Sequence, residues 1–69
     1  MKLLDVVALT RDLPSTTLRK GQVGTLVEQL GADVFEVEFA NLKGETYASL
    51  AISANDLMVL HHAPVGSAA

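Results

Sequence analysis

The sequence predicts an all-β domain, an SH3-like small barrel of about five strands with one short helical turn before the last strand. Three observations lead to this class. Short apolar runs alternate with turn-forming residues along the chain. One run, Val34-Phe35-Glu36-Val37-Glu38-Phe39, has the strict period of two that marks a strand buried on one face. The connections come in the order long loop, tight turn, hairpin and single helical turn, which is the order of elements in such a barrel. Rolling the sheet up also limits the exposed edges of so short a chain. The alternative is an open sheet of about five strands that completes its core by dimerising.

The first run, Leu4 to Leu9, has Val6 and Val7 at its centre and reads as a strand beginning at the first residues. Thr10 to Lys20 carries Asp12, Pro14, Ser15, Thr16 and Thr17, and Pro14 turns Leu13 away from helical dihedrals, so this stretch reads as a long loop. Leu13 and Leu18, its large apolar residues, either tuck back into the core or stand out as anchors for a partner. The second run extends from Val23 to Leu30. Gly21 and Gly24 stand where a tight turn or bulge needs a positive φ or a close backbone approach, and the broken alternation at Val23, Leu26 and Val27 predicts a bulge near Gly24. The same stretch is not a phosphate loop. Its lysine precedes the glycines and β-branched residues follow, where that loop requires Lys and a hydroxyl after the glycines and then a helix.

Gly31-Ala32-Asp33 turns the chain into the alternating strand 34–39. Phe35, Val37 and Phe39 face inward and Glu36 and Glu38 outward, as the solvated side of a half-buried strand. Asn41-Leu42-Lys43-Gly44 has hairpin chemistry, with Gly44 in the left-handed position. In the next strand, Glu45 to Ile52, residues Thr46, Ala48, Leu50 and Ile52 share one face, and Tyr47, Ser49 and Ala51 the other. With the first set on the core, Tyr47 stands outside and either covers the barrel wall or an end, or serves as a candidate anchor for a partner. Ser53 caps a helical turn ending near Leu57, with Asp56 placed to answer it. Leu57 to Leu60 is the final strand, and His61 and His62 end it on opposite faces.

The 69 residues suffice for one small domain, expected over 1–62, with a flexible tail over 63–69. Apolar residues make up 49% of the chain, too many for a disordered one, and charges interrupt them too often for a membrane span. Asp5, Arg11 and Asp12 break the opening apolar run, so it reads as a strand of a cytoplasmic protein and not as a leader. There is no cysteine, which removes disulfides and thiolate-bound zinc. The net charge of −3 does not draw phosphate backbones from a distance; the basic residues that cluster are Arg19 and Lys20, joined by Arg11 if the fold brings it near.

Enzymatic chemistry finds no footing, and no cofactor or metal is expected. The serines, Ser15, Ser49, Ser53 and Ser67, lie in no nucleophile context, and the imidazoles, His61 and His62, are adjacent and so diverge. Glu36 and Glu38 are two apart, but a metal or glycosidase-like pair needs further partners in a concave pocket. The reading is a non-catalytic interaction module. Its expected surface combines Arg11, Leu13, Arg19 and Lys20 of the long loop with Tyr47 and the acidic pair Glu36 and Glu38, and its expected partner is a basic protein.

Certain segments together resemble the small bacterial proteins grouped as domain of unknown function 4926. They are Leu3-Leu4-Asp5-Val6-Val7-Ala8-Leu9, Leu13-Pro14 with Leu18, Gly21-Gln22-Val23-Gly24-Thr25, Val34 to Phe39, Gly44-Glu45-Thr46-Tyr47-Ala48 and Leu57-Met58-Val59-Leu60-His61. The resemblance runs from residue 3 to about 65. It brings no assigned activity; it implies toxin–antitoxin-like neighbourhoods and so a binding or neutralising role. Gly21 to Val27 also resembles the KOW motif of ribosomal and transcription-factor barrels, which implies a nucleic-acid module using Arg11, Arg19 and Lys20. The chain departs from that pattern in its acidic strands and scarce aromatic stacking surface. A third reading is a structural subunit of a homo-oligomer, from the high apolar fraction on a small fold.

Overall fold

The computed structural model describes residues 1–66. Five antiparallel strands form one sheet: β1 (Val6–Leu9), β2 (Val23–Gln29), β3 (Val34–Ala40), β4 (Thr46–Ser53) and β5 (Leu57–Val59), in the spatial order β4-β3-β2-β1-β5. A 3-10 turn, Ala54–Asp56, joins β4 to β5. The all-β class and the order of connections are those read from the sequence. The sheet is rolled, because Ile52 of one end strand and Leu57 of the other join the same core as Val7, Leu26, Phe35, Val37 and Phe39. Phe39, Leu26, Val7 and Val37 are completely enclosed, and among the described residues no polar or charged side chain is buried. A small domain of this kind draws its stability from that one apolar cluster.

The connections close as their residues demand. In the β3–β4 hairpin Asn41 Oδ1 accepts from the Lys43 and Glu45 backbone N–H groups at 2.9 and 3.0 Å, and Gly44 takes φ +82°. Leu42 is left wholly exposed at its tip. Gly21 takes φ +92°, and its N–H donates to Leu9 O at 2.8 Å, closing the base of the long loop. Gly24 has no positive φ and serves instead as a close approach: a Cβ there would lie 2.7 Å from Val37 Cγ1 and 3.0 Å from Glu38 O. The two glycines thus meet the two needs named for them, one each.

Several expectations are corrected. β1 begins at Val6, since Leu4 has φ +72° and cannot continue a strand. The irregularity in β2 falls between Leu26 and Glu28, at Val27, and not at Gly24. A second one falls in β4, where Ala40 pairs with Thr46 and Phe39 with Ala48, leaving Tyr47 as the extra residue. That bulge moves Thr46 to the outer face and brings the Tyr47 ring beside the core ring of Phe39, with centroids 6.2 Å apart. Tyr47 therefore covers an end of the core, the first of the two placements read for it, and does so from the bulge and not from the regular outer face. Ser53 caps the 3-10 turn by accepting from Asn55 N, but Asp56 answers Arg11 instead of the cap. β5 stops at Val59, so His61 and His62 lie beyond the sheet, exposed. The tail expected over 63–69 falls partly on residues 67–69, outside the described residues.

Candidate functional site

The long loop is tied down at each turn. Leu13 N donates to Leu18 O at 3.0 Å, Thr16 Oγ1 donates to Leu13 O at 2.9 Å, and Leu18 N donates to Thr16 Oγ1 at 3.0 Å. Leu13 and Leu18 are both buried in the core. Leu13 therefore anchors the loop and is not presented to a partner. Arg11 pairs with Asp56 (Nε to Oδ1, 2.9 Å), and Arg19 donates through Nη1 to Thr16 O and Leu18 O. Lys20 N donates to Asp12 Oδ1 at 2.9 Å. Two of the three basic side chains named from the sequence are thus engaged within their own loop or its neighbour. A shallow depression of about 300 Å³ lies here, lined by Asp12, Leu13, Pro14, Ser15, Thr16 and Arg19. Gln22 links this loop to the core end: it accepts from Arg19 N and donates to the Tyr47 hydroxyl at 3.3 Å.

Glu36 and Glu38 lie elsewhere, on the outer face of the sheet. Ser49 Oγ donates to Glu36 Oε2 at 2.7 Å and Thr46 Oγ1 to Glu38 Oε1 at 2.8 Å, so two hydroxyls of β4 fix both carboxylates. Across the other ladder Glu36 stands directly opposite Glu28 of β2, and Glu38 opposite Thr25. Glu28 was not singled out from the sequence. Its place beside Glu36 depends on the bulge at Val27, which shifts the register by one residue. Three carboxylates therefore share one face within neighbouring strands. The two ion pairs among the described residues, Lys2–Asp5 and Arg11–Asp56, involve none of them. No group of His, Asp or Glu among the described residues is arranged to hold a metal ion.

The other half of the same outer face is apolar. Ala8 of β1 stands between Val23 of β2 and Met58 of β5, both about half exposed. The outer sheet surface thus changes from aliphatic over β5-β1-β2 to acidic over β2-β3. The surface expected from sequence separates into two: Arg11, Arg19, Lys20 and Tyr47 at the loop end, and the glutamates on the sheet face.

Among the described residues no helix is long and apolar enough to cross a membrane. No curated protein and no solved structure matches the chain. A family model described as Domain of unknown function (DUF4926) matches residues 3–59, most of the chain and all five strands, and the chain belongs to that family.

Proposed function

We propose that the protein is a non-catalytic interaction module whose outer sheet face binds a basic protein. One observation carries this reading: Glu28 and Glu36 face each other across the β2–β3 ladder with Glu38 beside them, and no cation among the described residues pairs with any of the three. Like charges directly opposite destabilise a sheet by a few tenths to about 1 kcal/mol. A basic partner would relieve that repulsion and be steered toward the face by it. The half-exposed Val23 and Met58, on either side of the buried Ala8, supply apolar contact area, so the fitting partner carries lysines or arginines beside exposed apolar side chains. A protein that uses a basic face to bind nucleic acid has this chemistry, and covering that face would be an antitoxin-like action. The nucleic-acid reading has less support, with Arg11 and Arg19 engaged inside the loop region.

The test is affinity capture from native cells by the wild-type chain and by a variant with Glu28, Glu36 and Glu38 all changed to Lys. The expected result is a stoichiometric basic protein, released by raised salt and absent with the variant. Equal capture by the two baits, or recovery of nuclease-sensitive nucleic acid in place of protein, overturns the proposal.

A further inference from the structure

β4 is the longest strand, with eight residues, and it lies at the edge of the sheet. Its sequence, Thr-Tyr-Ala-Ser-Leu-Ala-Ile-Ser, contains no charge, no proline and no glycine. Among the described residues its backbone bonds only to β3 and to no other segment. Alternate residues of an edge strand point both N–H and C=O away from the sheet, so about half of these groups face outward without a protein partner. Ala48 and Leu50 pack on the core yet stay partly exposed along the same edge. The opposite edge is different, because β5 has three residues, too few to template a strand. Edge strands are normally blunted by a charge, a proline or a covering element; β4 carries no charge or proline over residues 48–53, and among the described residues its backbone bonds to no element besides β3.

We infer that β4 pairs antiparallel with β4 of a second copy, joining two sheets across a twofold axis. The strand's chemistry favours its own copy over a charged peptide. Pairing centred on Leu50 stays clear of the bulge at Tyr47 and keeps side chains on matching faces. It sets Leu50 beside Leu50 of the second copy, and Ala48 beside the second copy's Ile52, on the core side. Ser49 then meets the second copy's Ala51 on the outer side. Charge does not oppose the contact. Three strand spacings separate the two β3 strands, about 14 Å, which exceeds the screening length of about 8 Å at physiological salt. This pairing rests on the edge alone and is independent of the acidic-face reading.

The chain has no cysteine, so a single introduced thiol reports on the interface alone. Facing Cβ atoms in an antiparallel pair lie about 4.5–5.5 Å apart, close to disulfide reach. Under mild oxidation Leu50→Cys is expected to form a dimer of twice the 7.3 kDa chain mass, while Met58→Cys on the other edge remains monomeric. Because Leu50 packs on the core, a second test uses exposed positions: a mixture of Ser49→Cys and Ala51→Cys chains is expected to give the mixed disulfide. Sedimentation of the unmodified chain should show a concentration-dependent dimer that Ala51→Lys abolishes. The inference is overturned if neither cysteine test cross-links folded protein and the wild type stays at 7.3 kDa at all concentrations. Equal cross-linking through Met58→Cys also overturns it.

Discussion

Gly24 shows how one missing atom sets a local structure. Its φ is ordinary, so conformational freedom is not what it contributes; the space for a Cβ is already filled by Val37 Cγ1, Glu38 O and Phe39 Cδ1 at 2.7, 3.0 and 3.1 Å. Backbone cannot yield as a side-chain end can, so Gly24→Val is expected to destabilise the fold by about 1–3 kcal/mol, read as a lower urea midpoint. Gly21→Ala meets open space and strains only the backbone at φ +92°, so its loss should be the smaller. Asp5 offers a pH test at the same scale. The Lys2 backbone N–H, donating to Oδ2 at 3.0 Å, and the Lys2 ammonium at 3.4 Å from Oδ1 hold its carboxyl below the usual 3.8. A depressed folded pKa gives stability that is present above the unfolded value and lost as pH falls through the folded one. Asp5→Asn should therefore lower the urea midpoint at neutral pH and leave it unchanged in strong acid. An equal loss at both would assign the effect to packing.

At the scale of elements, the two bulges decide what the strands present. Without the one at Val27, Glu28 would not oppose Glu36; without the one at Tyr47, Thr46 would not reach Glu38. Glu28→Lys converts the repulsive cross-strand pair into an attractive one. It is expected to raise stability by a few tenths to about 1 kcal/mol in thermal melts while weakening capture of the basic partner. A gain in stability with a loss of binding is the signature of a charge placed for recognition. A loss of both would show that Glu28 supports the fold. The long loop is an element in its own right: Leu13 and Leu18 below it and Thr16 between them make it a built hairpin-like arm.

For the whole molecule, the rolled sheet separates three surfaces: the loop end around Arg19, Gln22 and Tyr47, the mixed acidic and aliphatic outer face, and the β4 edge. The face and the edge meet at Ala51, which lies directly opposite Glu36. Ala51→Lys should therefore abolish self-pairing and also weaken basic-partner capture. The triple glutamate reversal should abolish capture and leave self-pairing in place, because its charges lie a strand or more inside the edge.

Several features were legible in the residues because they are local. The alternation of Val34 to Phe39 requires a strand with the glutamates outward, and Asn41 with Gly44 requires the hairpin. Pro14 and its polar neighbours require the long loop. The absence of cysteine removes disulfides, and the family followed from short segments spread over the chain. What the sequence could not carry depends on residues far apart in it. A bulge is a relation between two strands, so neither the outward turn of Thr46, nor the Tyr47 ring on Phe39, nor Glu28 facing Glu36 is written in any one run. Arg11 meeting Asp56 spans 45 residues. Sequence determined which strands form and which of their faces are apolar, because those follow from periods of two. Tertiary structure alone decided which side chains share a surface, because a one-residue shift in register exchanges the faces of everything beyond it.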